Sequence, residues 1–151
     1  MQKTNMMQKS SYATTIEVAQ APDVVFNCIN DVEKWFSNKG FTGSSTKLND
    51  DFVFNYGEGE HAHYSKQKLV EFIPNKKVVW LVTDSKIDWI KNNKQEWTST
   101  KMVFDITPHG DKTLLHFTHD GMIPTLECYA ECQKGWDMII KQWLFNYITA
   151  H

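Results

Sequence analysis

The chain's six histidines and three cysteines are its most versatile side chains, and the richest local grouping of them lies at a tight turn. His61 and His63 alternate, so on a strand both imidazoles project from one side. With Glu58, Glu60, His116 and His119 they offer the donor types of a metal site. None of the spacings belongs to a closed zinc motif, and histidines beside turns are ordinarily solvated, so the expectation is a chain that holds no metal. Gly57-Glu58-Gly59-Glu60-His61-Ala62 also fits G-x-G-x-x-A, the dinucleotide fingerprint. Its glycines serve a pyrophosphate only between a strand and a helix N-terminus. Here the following segment reads as strand and two glutamates would repel phosphate, so a hairpin turn is expected, and no cofactor. Cys128 and Cys132, one helical turn apart, read as two buried thiols rather than half of a metal site. No G-x-S-x-G elbow is present and no cysteine has an obvious histidine context, so no catalytic residue is assigned.

His119 stands apart from that grouping, near the end of the last strand and beside the start of the final helix. There an imidazole either hydrogen-bonds a polar group of a ligand or ties the strand to the helix. Which of these it does depends on the elements around it.

The element that organises the chain runs from Pro124 to Ile148. Tyr129, Cys132, Trp136, Ile139, Ile140, Trp143 and Tyr147 recur at spacings of three and four and fall within about 60° of Trp136 at about 100° per residue, the stripe of an amphipathic helix. Glu127, Glu131, Lys134, Lys141 and Gln142 fall on the far side. Pro124 suits the first helical turn, where its missing N–H is not needed, and Glu127 adds negative charge at the helix's positive end. Met138 and Phe145 lie about 180° from Trp136, seven apart on the outer face. They are the expected contact with a partner protein or a second copy of the chain.

The helix needs something to pack on, and the rest of the chain supplies strands. Tyr12 to Val18 alternates, with Tyr12, Ile16 and Val18 on one face and Ala13, Thr15 and Glu17 on the other. Ala21-Pro22-Asp23 opens a short helix through Val25, Phe26 and Ile29. Asp31 is placed to cap a second that carries Trp35 and Phe36 and ends at Asn38-Lys39-Gly40. From Gly43 to Gly121 the pattern gives strands at about 43–48, 51–57, 61–73, 77–84, 96–107 and 112–120, separated at hairpin spacing by turn residues. Thr100, Met102, Phe104 and Ile106 alternate against Lys101 and Asp105. The segment Ser85 to Gln95 is long for a hairpin turn yet holds Ile87, Trp89 and Ile90, so Trp89 reads either as a cap on the core or as part of a lid over an entrance. An antiparallel sheet of about seven strands with one apolar face needs a cover, and the C-terminal stripe is the one available, so the sheet is expected to curl around it.

Composition bounds the function. All 16 basic residues are lysine and the formal net charge is −2, which gives neither a basic field nor an arginine fork, so nucleic-acid binding is not expected. No apolar run is long enough to span a bilayer, and no signal peptide is evident at Met1 to Ser10, so no membrane insertion and a cytoplasmic location are expected. Three cysteines make no disulfide framework. The 151 residues suit one domain, with residues 1–9 as a disordered tail. Six tryptophans, nine phenylalanines and five tyrosines point to an aromatic-lined interior.

These segments resemble a known family. Ala21-Pro22 before a Val25-Phe26 helix, Val70-Glu71-Phe72-Ile73-Pro74 followed by Val78-Val79-Trp80, and Glu96-Trp97-Thr98-Ser99-Thr100 leading into Phe104 are three of its marks. Phe117-Thr118-His119-Asp120-Gly121 and Gly135-Trp136 complete them. Together they are similar to the START-like, or SRPBCC, superfamily, in the branch resembling the C-terminal domain of the heat-shock protein 90 ATPase activator. The resemblance implies an α+β helix-grip fold: a curved, seven-stranded antiparallel sheet wrapped around a long C-terminal helix, with two short helices after the first strand and a cavity between. It implies a grip for apolar molecules more than any one reaction.

The function expected is non-covalent binding of a small apolar or aromatic ligand between the C-terminal helix and the sheet. Its walls are expected from Trp80, Trp97, Met102, Phe104 and Phe117 on the sheet and Trp136, Ile140 and Trp143 on the helix, with Tyr56 or His119 as polar handle and Trp89 near the mouth. The alternatives are an interaction domain that modulates a chaperone and a cyclase- or aromatase-like enzyme.

Overall fold

In a computed structural model the described residues are 11–36, 40–57 and 59–151, without the side chain of His61. The expected tail at 1–9, the helix end at Asn38 and Lys39, the ligand candidate Glu58 and the imidazole of His61 lie outside them.

The first strand, β1 (Tyr12–Val18), buries Tyr12, Ile16 and Val18 as its alternation predicts. Pro22 opens α1 (Pro22–Asn30), which turns Val25, Phe26, Cys28 and Ile29 inward. A single turn, α2 (Val32–Trp35), follows and buries Val32 and Trp35. Asp31 lies between them but makes no capping bond to α2. Its carboxylate instead accepts the Tyr147 hydroxyl at 3.0 Å, binding the helix pair to the chain's far end.

The remaining strands are β2 (Phe41–Gly43), β3 (Asp51–Tyr56), β4 (His63–Ile73), β5 (Lys77–Ile87), β6 (Lys101–His109) and β7 (Lys112–Asp120). All neighbours are antiparallel, in the order β1-β7-β6-β5-β4-β3-β2. Two register shifts between β4 and β5, at Lys66/Gln67 and Leu69/Glu71, bend the longest hairpin and help the sheet curve. The strand expected at 43–48 is instead a turn. Asp50 Oδ2 gathers the Ser44 hydroxyl and the backbone N–H of Thr46 and Lys47, and these bonds hold its carboxyl below the usual range. The strand expected from residue 96 starts at Lys101, because 96–99 form turns that end on Ser99 at φ +76°.

The C-terminal helix departs most from its sequence pattern. Residues 124–128 form turns, and α3 begins at Tyr129 (Tyr129–Met138), five residues past Pro124. It continues through a π-helical stretch, Ile139–Leu144, into α4 (Phe145–Thr149). A π-helical turn takes in one extra residue, which rotates everything after it by about 100° relative to an uninterrupted α-helix. Leu144 and Ile148, which ideal spacing puts about 80° and 120° from Trp136, are thereby swung onto the stripe. Both are completely buried.

Trp143 and Tyr147, expected on the stripe, move to its edge and are half-buried. Trp143 meets Phe36 edge-on at 5.4 Å. Phe145, expected outside, turns inward to pack against the core, and Met138 is also half-buried rather than exposed. Trp136 and Ile140, ahead of or within the rotation, remain buried as the stripe requires.

Candidate functional site

Under the middle of the helix the sheet is closely filled. Trp80 meets Phe52 at 4.9 Å and Phe104 at 4.7 Å, and the ring chain continues through Phe117 to Trp136 at 4.5 Å. Towards α2 and the β3–β4 side the filling stops, leaving a cavity of about 510 Å³. Trp35 and Phe36 wall it from α2, Phe54 and Tyr56 from β3, and His63 and Ser65 from β4. Trp89 and Trp97 come from the β5–β6 connection, and Glu131, Cys132, Lys134, Gly135, Trp136 and Ile139 from the helix.

Four of the residues expected from sequence line this cavity: Tyr56, Trp89, Trp97 and Trp136. Trp80, Met102, Phe104, Phe117, His119 and Ile140 are instead fully buried in the packed core. Strand alternation correctly gives such residues an inward direction, but it does not tell where along a strand the helix presses down and where it lifts away. Trp35, Phe36, Phe54, His63, Ser65, Cys132, Gly135 and Ile139 were not foreseen as wall. A signal for one was present: a glycine in the interior of a helical pattern costs stability and asks for a reason.

His119 uses both ring nitrogens within the protein. The indole N–H of Trp136 donates to its Nδ1 at 3.0 Å, so the proton of the neutral ring sits on Nε2, which lies 2.7 Å from the Thr100 hydroxyl. That hydroxyl in turn donates to the carbonyl of Trp97. Burial first, and then the neighbouring His63, push the imidazole's pKa down to about 3. The arrangement ties strand, helix and loop together through one uncharged ring.

His63 is different. It packs at 4.2 Å against Trp97, ring across ring, and burial lowers its pKa to about 4. Its Nε2 is buried without a partner among the described residues. Further along the same inward row of β4, Gln67 is fully buried between Phe52 and Val82, and neither amide atom has a protein partner. A buried unpaired polar group costs about 1–3 kcal/mol. Gln67→Met, which keeps the length and removes the amide, is therefore expected to raise the unfolding midpoint by several degrees, at about 2–4 °C per kcal/mol for a chain of this size. A lower midpoint in thermal unfolding would show that the amide is satisfied after all.

The β5–β6 connection is strapped to the start of the helix in both directions. Glu96 accepts the backbone N–H of Glu127 at 2.9 Å and of Cys128 at 3.0 Å. Glu127 accepts the N–H of Lys91 at 2.7 Å and of Asn92 at 3.0 Å, and these bonds hold its carboxyl below the usual range. Glu96 thus holds the amides of the two residues just ahead of the helix, whose own first turn has no side-chain cap. The indole of Trp97 adds a bond to Cys128 Sγ at 3.4 Å. Cys128 and Cys132 are buried, and the pairing between them raises the Cys132 thiol far above its ordinary pKa, so it stays protonated. Among the described residues no group of three metal-ligating side chains converges.

A seven-stranded antiparallel sheet curled around a C-terminal helix, with two short helices after the first strand and an apolar cavity at one side of the grip, is the START-like, or SRPBCC, fold. Within it, residues 20–144 match the model of one family, and the chain belongs to it: activator of Hsp90 ATPase homolog 1-like protein. The solution structure of the Aha1 dimer from Colwellia psychrerythraea superposes with a TM-score of 0.65 at 20% identity, covering 87% of this chain and 90% of that one. The Mll3558 protein from Rhizobium loti gives 0.65 at 16% identity over 93% and 95%. DynU16, a putative protein in the dynemicin biosynthetic locus, gives 0.59 at 12% identity, over 93% of this chain and 46% of that one. A comparison with curated proteins gives no match. No helix among the described residues is long and apolar enough to cross a membrane.

Proposed function

We propose that this chain holds a small apolar or aromatic molecule non-covalently in the cavity between the helix and the β3–β4 side of the sheet. One observation carries the reading. Gly135 lies in the middle of α3 on the cavity wall, and a Cβ built there meets no atom within 4 Å. Glycine inside a helix costs roughly 1 kcal/mol relative to alanine. Neither a close backbone approach nor a positive φ asks for it here, and what it leaves is room. The size fits too, since ligand pockets commonly measure roughly 300–1,000 Å³.

The test is a titration of fatty acids, flavonoids and polyaromatic compounds followed by tryptophan fluorescence, with Trp35, Trp89, Trp97 and Trp136 on the wall as reporters. Saturable quenching at micromolar affinity is expected. Gly135→Trp should fold and abolish it by filling the space. Gly135→Ala should keep it and gain about 0.5–1 kcal/mol of stability. No quenching by any compound, or a Gly135→Trp protein that binds as the wild type does, defeats the reading.

The reading then left is an interaction domain that modulates a chaperone, which the family's name supports. Self-association is a narrower form of it, supported by the dimeric neighbour from Colwellia psychrerythraea and by the surface that Met138 and Phe145 still show. A cyclase-like enzyme is the third reading, and the sparsely polar wall disfavours it. Free thiols at Cys28, Cys128 and Cys132 suit a reducing, cytoplasmic setting for one ligand-holding domain.

A further inference from the structure

The polar groups on the cavity wall narrow what its occupant can be. At the rim, Glu131 and Lys134 pair at 3.6 Å and are largely exposed, so each offsets the other's charge. Inside, the thiol of Cys132 is protonated and His63 is an uncharged imidazole at neutral pH. The inner wall therefore offers no countercharge, and a carboxylate or ammonium brought in would lose its hydration without recompense. This wall suits an uncharged occupant.

It is not wholly apolar either. His63 Nε2 is buried without a hydrogen-bond partner among the described residues. Ser65, two residues along β4 and so on the same face, lines the cavity beside it. A hydroxyl both donates and accepts, so it satisfies a neutral imidazole in either tautomer, whereas a carbonyl needs the N–H to face it. The surrounding walls are aromatic: Trp97 and Trp136 lie parallel within 8° on the side next to His63. Such faces favour flat rings that stack or meet them edge-on.

We propose that the molecule held in this cavity is an uncharged aromatic bearing a hydroxyl, and that this hydroxyl hydrogen-bonds the imidazole of His63. The inference rests on the cavity reading above and adds the chemical class of the occupant and the residue that selects it. His119, although it is the histidine nearest the core's centre, takes no part, because Trp136 and Thr100 already occupy it.

A matched pair of probes, 2-naphthol and naphthalene, separates the two levels of the claim. Equilibrium dialysis against wild-type protein is expected to show 2-naphthol bound several-fold, up to about tenfold, more tightly, the worth of one buried hydrogen bond. His63→Phe keeps a ring in place and is expected to reverse the order; His63→Gln, which restores a donor and an acceptor, should recover part of the preference. If His63→Phe does not fold, nitrogen-15 spectra of histidine-labelled wild type still decide. 2-Naphthol should move the His63 ring signals and naphthalene should not, while those of His119 stay still. Equal binding of both probes, or a preference that survives His63→Phe, overturns the hydroxyl assignment and leaves the cavity reading standing. Failure of both probes to bind overturns both.

Discussion

Trp136→Ala is expected to lower the unfolding free energy by at least about 4 kcal/mol, measured by urea denaturation. Large-to-small changes at a buried tryptophan cost about 3–5 kcal/mol through lost burial and the space left behind. This one removes more, because Trp136 lies against Phe117 at 4.5 Å and parallel to Trp97 at 5.9 Å. Its indole also provides the bond that fixes the proton position of His119, so alanine leaves Nδ1 of a fully buried imidazole unpaired, for about 1–3 kcal/mol more. Trp136→Phe separates the two contributions in part, since it keeps a six-membered ring in place but loses the N–H and the rest of the indole. It should cost about 1–3 kcal/mol. A loss below about 2 kcal/mol for the alanine variant would mean that sheet and helix hold together without this ring.

Inserting an alanine after Lys141 is expected to do comparable damage by a different route. Lys141 is exposed, and its ion pair with Asp137 at 3.6 Å is a surface pair, so Lys141→Ala should change stability by no more than about 0.5 kcal/mol. The π-helical stretch already takes in one extra residue, and a second pushes everything after it round by one more step. Leu144 and Ile148 then rotate by about 100° away from the core, while Trp143 and Tyr147 rotate into space shaped for aliphatics. With two completely buried side chains displaced, a loss of at least about 3 kcal/mol is expected, read as a lower denaturation midpoint. If the insertion and Lys141→Ala variants unfold together, the rotation is not what seats Leu144 and Ile148.

The order of elements was legible because it depends on periodicity alone. Alternation in Tyr12 to Val18 and in Met102, Phe104 and Ile106 reports a buried face whatever the tertiary detail, and the strands match in order and number. The family segments carried the fold for the same reason. What periodicity could not carry was any feature made by one residue acting out of step. Ideal spacing assumes a uniform helix, so Leu144 and Ile148 were missed and Trp143 and Tyr147 were placed too far inward. Pro124 satisfied the local rules of a helix start, yet the helix begins at Tyr129, and the amides of the two residues before it are held by Glu96, some thirty residues earlier in the chain.

The cavity was legible as an expectation of aromatic walls, and only partly as a list of residues. Tyr56, Trp89, Trp97 and Trp136 stand on its wall. The rings chosen from β5 to β7 were inward-facing, but they sit where the helix presses closest. His63 was weighed only as a metal ligand beside His61, since sequence marks a histidine near a turn and does not mark its burial.

The two glutamates that strap the β5–β6 connection to the helix start govern how that connection can change over generations. Every donor in the strap is a main-chain amide: Lys91, Asn92, Glu127 and Cys128. A main-chain amide is supplied by every residue except proline, so the donor side is nearly indifferent to point substitution. The acceptor side is encoded in two codons. The connection can therefore drift in charge, size and polarity at 91 and 92 while its attachment persists, and substitution at Glu96 or Glu127 removes half of the strap in a single step. Selection on the composition of this connection and selection on how firmly it is held act on separate positions of the chain.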